Sequence, residues 1–315
     1  KPEVDMEVLY FFESIRNPFL DAVMTAFTYL GSEIAFLLFA LTVYWCVDKK
    51  RGYFVMSVGY VGVIINQILK IVFMIPRPWV LDKNFTIVES ARADAEGYSF
   101  PSGHTQNAVG TYGSIARFLK KAWATIVSIV LIILVAVSRM YLGVHTPLDV
   151  GVSLLIGTAL VFALYPIFET ANRKPVVMYW LLGTFFLSSV AFLLFAIFWT
   201  FPADIDKANL YSMQKTAWTL VGATGGAFIF HPIEERFIDF ETKAPFPIQF
   251  LKLTVGGAIV MGVKTALKYL FIFIGGGEEP LWMRAIRYFA VVACTVAVAP
   301  LTFRLLTKIG TKKKA

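Results

Sequence analysis

A chain of 315 residues that is 57% apolar and only 16% charged, with a mean hydropathy of +0.68, cannot clothe itself in water-facing side chains. Charged residues supply about a quarter of an ordinary soluble domain, so the composition excludes that class and points to an all-α, polytopic bundle of membrane helices. The net charge of +8 is no nucleic-acid footprint, because the basic residues fall in short clusters between apolar runs, as topology determinants do.

The N-terminal segment, residues 1–30, comes first. From Asp5 to Leu30 it is apolar on one side and broken at Asn17-Pro18, which predicts a pair of interfacial helices, unless the second half extends the first span. Its acidic start, with Glu3, Asp5 and Glu7, is unlike the basic start of a cleavable signal peptide. Nine apolar runs follow, at about 31–47, 52–74, 103–119, 122–141, 147–167, 176–199, 213–231, 248–274 and 284–307, each near the length needed to cross a hydrocarbon core. Five of them, in 31–168, form the expected catalytic core, and about four form a C-terminal membrane region over 169–315. Cys46 and Cys294 lie in or at the ends of these runs. They have neither zinc-type spacing nor a disulfide pattern.

The loops between the runs are asymmetric. Lys49-Lys50-Arg51, Arg117 with Lys120-Lys121, Arg173-Lys174, and Lys308 with Lys312-Lys313-Lys314 fall on one side. Asp82, Glu89, Asp94, Glu96, Asp204, Asp206, Glu278 and Glu279 fall on the other. Retention of Lys and Arg in the cytoplasm makes the basic side inner, with the N-terminus outside and the C-terminus inside.

Three segments then share the outer face: Lys70 and Arg77 in KIVFMIPRP, Pro101-Ser102-Gly103-His104 opening the third run, and SRMYLGVHTPLD, which carries Ser138, Arg139, His145 and Asp149. Cations this close to a bilayer are costly unless they serve a site. Three cations and two of the three histidines together suit a multiply charged oxyanion. Thr146 is a suitable N-cap and Pro147 a suitable first helical residue, which sets Asp149 one turn beyond His145. There the carboxylate can accept the imidazole Nδ1–H and leave Nε2 free as a nucleophile. Ser102, Gly103 and His104 bring backbone N–H groups to the positive end of a helix, and Gly103 permits close backbone approach. Arg77 and Arg139 can clamp oxyanion oxygens bidentately, while Lys70 acts as a point charge.

These motifs resemble the signature of the type 2 phosphatidic acid phosphatase superfamily, K-x6-R-P, then P-S-G-H, then S-R-x5-H-x3-D, matched here without departure over residues 60–165. The resemblance implies a multi-pass membrane phosphatase, with no metal or other cofactor, acting on a phosphorylated lipid. It implies that His145 attacks phosphorus to give a phosphohistidine, oriented by Asp149. His104 protonates the leaving alcohol and then activates water. Lys70, Arg77, Ser102, the Gly103 amide and Arg139 stabilise the equatorial oxygens. In a bacterium the site is expected outside the plasma membrane, and in a eukaryote on the lumenal face of the endoplasmic reticulum.

Two other readings compete. Glucose-6-phosphatase, a more distant relative, shares the nine-span layout, and the terminal lysines resemble a dilysine retrieval signal. It lacks an aspartate matching Asp149, however, which favours lipid over sugar phosphate. A retired phosphatase serving in lipid binding or transport should have lost a catalytic residue, and none is missing. His231, ahead of Pro232, reads as structural or interfacial, and the glycines of runs seven and eight as helix-packing surfaces. Lys264, Lys268, Arg284 and Arg287 stand on the outer side against the topology rule, so some are expected to face the cavity and attract an anionic substrate. The C-terminal runs are expected to shape the cavity, to form a homodimer interface, or both.

Overall fold

The computed structural model describes residues 6–95 and 97–311, and among these no strand occurs. Glu3, Asp5, Glu96 and the lysines at 312–314, used above for topology, lie outside the described residues.

Fourteen α-helices follow in order: α1 (Glu7–Ser14), α2 (Pro18–Tyr29), α3 (Glu33–Cys46), α4 (Lys49–Phe73), α5 (Pro78–Leu81), α6 (Gly103–Ala108), α7 (Ser114–Leu119), α8 (Ala122–Tyr141), α9 (Pro147–Arg173), α10 (Val176–Phe198), α11 (Lys207–Ile233), α12 (Phe246–Ile274), α13 (Leu281–Ala293) and α14 (Ala299–Thr311). A π turn at Val109–Gly113 joins α6 to α7, and another at Cys294–Val298 joins α13 to α14.

Among the described residues, six helical stretches are long and apolar enough to cross a membrane: Lys49–Leu81, Ala122–Tyr141, Pro147–Arg173, Val176–Phe198, Phe246–Ile274 and Leu281–Arg304. A seventh arises if α2 and α3, bent by 43° at their junction, count as one span. The expected count of nine is thus not met on length and composition. Gly103–Leu119 is cut by its π turn and falls short of the roughly 20 residues a straight span needs. Helix α11 is long enough but carries Lys207, Asn209, Gln214 and Lys215 in its first half. The Asn17-Pro18 break is a helix start: extended Asn17 accepts from the Leu20 N–H at 3.0 Å, with Pro18 in the first turn, a cap worth about 1 kcal/mol. The second helical half of the N-terminal segment therefore runs towards α3 as part of a bent pair.

The chain forms two compact units. The first takes the chain up to Ala40, Tyr53–Ile167 and Pro202–Leu210. Helix α8 is its hub, touched by α1, α2, α6 and α7. Along α8 the face carrying Val135, Ala136, Ser138, Arg139 and Tyr141 is buried, while Trp123, Ile126, Val127, Ile129, Val130 and Ile133 are exposed. In water such an apolar face would drive association; beside lipid it is simply solvated. Gly31, at the α2–α3 junction, is needed for close approach, because a Cβ there would sit 2.6 Å from both the His104 carbonyl oxygen and Val135.

The second unit takes Leu41–Gly52, Phe168–Phe201 and the chain from Tyr211 on. Helix α12 packs on α13 and α14, and Trp45 Nε1 donates to the Thr295 carbonyl at 3.0 Å. His231 is buried beside Tyr179, 3.8 Å from a Glu235 carboxylate oxygen. Arg284 and Arg287 both hold Glu279, at 3.1 and 2.8 Å. Those two arginines, two of the four cations expected to include cavity-facing ones, are therefore engaged by a carboxylate of their own unit. Lys264 is half-buried and Lys268 exposed on α12.

Candidate active site

The expected residues all belong to the first unit, and their helix ends deliver them to one place. Thr146 starts α9: the Thr146 N–H donates to Asp149 Oδ2 at 2.8 Å, and the Asp149 N–H returns to Thr146 Oγ1 at 3.3 Å. That reciprocal cap, with Pro147 next, fixes Asp149 one turn from His145. His145 Nδ1 lies 3.3 Å from Asp149 Oδ2, so the neutral ring carries its proton on Nδ1. The turn before it relies on Gly143 in the left-handed region, φ +81°.

His145 Nε2, expected to be free, instead faces Arg77 Nη1 at 3.1 Å. A guanidinium only donates, so Nε2 is the acceptor, consistent with the Nδ1–H tautomer. Arg77 Nη1 also donates to the Val144 carbonyl at 2.8 Å, and Arg77 Nε to the Gly97 carbonyl at 2.9 Å. Lys70 Nζ donates to the Tyr98 carbonyl at 2.5 Å. Arg139, wholly buried, donates through Nη1 to Thr28 Oγ1 of α2 at 2.8 Å, while its Nε and Nη2 have no partner among the described residues. His145 lies in the turn between α8 and α9, outside the spanning helices. Burial, with Arg77, Arg139, Lys70 and His104 close by, holds its imidazole well below the ordinary range.

Ser102 caps α6, accepting from the Thr105 N–H at 3.4 Å and the Thr105 hydroxyl at 3.0 Å. Its own N–H reaches the Asp149 carbonyl at 3.3 Å, tying this turn to α9. At Gly103 an added Cβ would meet nothing within 4 Å, so the helix start opens onto space. His104 Nε2 is buried and has no partner among the described residues. Asn66 secures the turn from α4 by donating to the Pro101 carbonyl at 3.3 Å and to Gln106 Oε1 at 3.2 Å.

Sequence reasoning missed several contributors. Ser99, fully buried, donates a short hydrogen bond to Asp149 Oδ2 and lies 3.5 Å from His145 Nδ1. Thr28 and the carbonyls of Gly97 and Tyr98 seat the cations. No local pattern marks a backbone acceptor or a hydroxyl 111 residues away. Residues 97–99 lie between α5 and α6, and their hydrogen bonds fasten them to the site.

A helical membrane bundle that gathers three cations, two imidazoles and an opened helix start into a buried site is suited to oxyanion chemistry at a bilayer, the province of membrane phosphatases. The comparisons agree. Residues 50–173 match the PAP2 superfamily, and residues 218–313 match the transmembrane extension of PAP2 superfamily phosphatases. Phosphatidylglycerophosphatase B of Bacillus subtilis is 32% identical over 50% of this chain and 80% of its own. Undecaprenyl-diphosphatase BcrC of the same organism is 29% identical over 48% of this chain and 77% of its own. A crystal structure of a transmembrane PAP2 type phosphatidylglycerolphosphate phosphatase from Bacillus subtilis overlaps at a TM-score of 0.46, with 29% identity over 54% of this chain and 87% of that one. The chain belongs to the PAP2 superfamily and is a multi-pass membrane phosphatase.

Proposed function

We propose that this enzyme hydrolyses a phosphate monoester or diphosphate on a lipid, through a phosphohistidine at His145, on the non-cytoplasmic face of its membrane. The observation that carries the mechanism is the pair of contacts on one imidazole: Asp149 at Nδ1 and Arg77 at Nε2. Asp149 fixes the tautomer that puts the lone pair on Nε2, and Arg77, which that lone pair meets here, would turn to an oxyanion oxygen as phosphorus approaches.

In the first step the Nε2–P bond forms and the P–O bond to the lipid breaks, with His104 giving its proton to the leaving oxygen. In the second step water attacks phosphorus, His104 takes its proton, and the N–P bond breaks to release orthophosphate. Lys70, Arg77, Arg139, the Ser102 hydroxyl and the Gly103 N–H stabilise the equatorial oxygens as charge builds.

Lipid is favoured because both named curated relatives act, by their names, on lipid phosphates, and Asp149 follows the lipid-phosphatase pattern. The outward placement rests on the loop charges, with Gly103–Leu119 and α11 crossing despite their interruptions and the total reaching nine.

Purified protein in detergent with EDTA should release phosphate from phosphatidylglycerophosphate, polyprenyl diphosphate or phosphatidic acid, and His145→Ala should abolish it. Preference for glucose 6-phosphate would refute the lipid assignment. Full turnover by His145→Ala would refute the nucleophile.

A further inference from the structure

We propose that Asn209, on the first turn of α11, is a positioning residue for the phosphate site, holding the backbone strap that seats Lys70 and Arg77. The inference rests on the phosphate-site reading above. Asn209 lies outside both family matches, between residues 173 and 218, yet it belongs to the same compact unit as the site.

Gly97, Tyr98 and Ser99 each hold one member of the constellation. The Gly97 carbonyl accepts from Arg77 Nε, the Tyr98 carbonyl accepts from Lys70 Nζ, and the Ser99 hydroxyl donates to Asp149. A shift of these three residues would therefore misplace two cations and the carboxylate that orients His145. On one side the strap is tied by the Ser99 N–H to the Ile75 carbonyl at 2.8 Å. On the other side the Tyr98 N–H donates to Asn209 Oδ1 at 2.8 Å.

Asn209 is itself well anchored. It is buried, and its N–H donates to Asp206 Oδ1 at 3.0 Å, so Asp206 caps the start of α11. The Asp206 N–H in turn donates to the Tyr98 hydroxyl at 3.0 Å. The strap and the helix start are thus linked twice. Gly97 fits the arrangement for two reasons: its φ of +73° disfavours any L side chain, and a Cβ would sit 2.2 Å from Asn209 Oδ1. The carboxamide occupies the space beside Gly97 while its oxygen holds the next peptide.

The test compares Asn209→Ala, Asn209→Asp and His145→Ala in the full-length protein. Readouts are kcat, KM, orthovanadate inhibition and thermal midpoint. Loosened cations act on transition-state charge rather than on lipid-tail binding, so Asn209→Ala should lower kcat about 10- to 100-fold with little change in KM. Vanadate inhibition should weaken in parallel. Asn209→Asp keeps an acceptor for the Tyr98 N–H and should recover most of the loss. Wild-type kcat and vanadate sensitivity in Asn209→Ala, or an equal loss in Asn209→Asp, would overturn the proposal. If Asn209→Ala does not fold, Asn209→Leu decides: it keeps the side-chain volume but withdraws the acceptor from the Tyr98 N–H, and unchanged kcat there would overturn the proposal. Full turnover by His145→Ala would instead defeat the underlying phosphate-site reading, so the two failures are distinguishable.

Discussion

The site cations of the first unit are held differently from the ion-paired cations of the second, although Lys252 of the second unit, wholly buried, also donates to carbonyls, those of Glu241 and Thr242. In the second unit Lys49 lies between Glu234 and Asp239, at 2.7 and 2.9 Å, and Arg284 and Arg287 share Glu279. In the first unit Lys70 donates to a carbonyl, Arg139 to a threonine hydroxyl, and Arg77 to two carbonyls and an imidazole. Asp149 Oδ2 is taken up by Ser99, Thr146 and His145. Carboxylates neutralise charge and leave a finished structure. At Lys70 and Arg139 the acceptors named are neutral, which fixes each cation in place and, on the proposed reading, leaves its charge for a phosphate group.

The contrast can be broken by substitution. Arg139→Ala should lower kcat about 10³-fold, as loss of an oxyanion-stabilising donor does, while the protein stays folded; full turnover would make Arg139 a packing residue. Thr28→Val, isosteric but without the hydroxyl that accepts from Arg139, should cost about 3- to 10-fold in kcat, in line with a net hydrogen-bond contribution near 1 kcal/mol. In the second unit the sign of the result changes. Arg287→Met should leave kcat of the folded enzyme unaltered but lower its stability by about 2–3 kcal/mol, because buried Glu279 loses a partner. Thermal unfolding beside an activity assay separates these outcomes, and lost turnover at full stability would erase the distinction between the units.

A pH profile sharpens the same point. Burial and the neighbouring cations favour neutral His145, so acid should not protonate it at the ordinary imidazole value of about 6.5. The limb of the phosphoenzyme-formation rate that belongs to the nucleophile should therefore fall at lower pH. In a single-turnover series, a His145 limb centred at the ordinary value would show an imidazole in contact with water.

Much of the site is legible in the sequence because its parts sit at helix ends, where local rules are strong. The spacing from Thr146 through Pro147 to Asp149 encodes a cap, and the cap sets the His145–Asp149 pair. The paired cations and histidines stand out because an apolar chain has few others. What cannot be read is the support behind them. Thr28, Ser99 and Asn209 act through hydroxyls, a carboxamide and peptide groups brought in by tertiary packing, and each of those residue types is common on any polar loop. The fold shows the same limit. Apolar runs locate the helices, but the sequence around Val109–Gly113 does not announce a π turn, and the seventh run, at 213–231, starts beyond the polar first turn of α11, where Asn209 lies.

A phosphohistidine at His145 would be visible as phosphate bound to the protein. Rapid acid-free quenching of the enzyme with a lipid substrate labelled in its phosphate should trap protein-bound label that survives alkali, is lost in acid and maps to the peptide containing His145. Such label is expected in the wild type and none in His145→Ala. Label on another residue, or turnover with no protein-bound phosphate at any time, would contradict a phosphohistidine at His145.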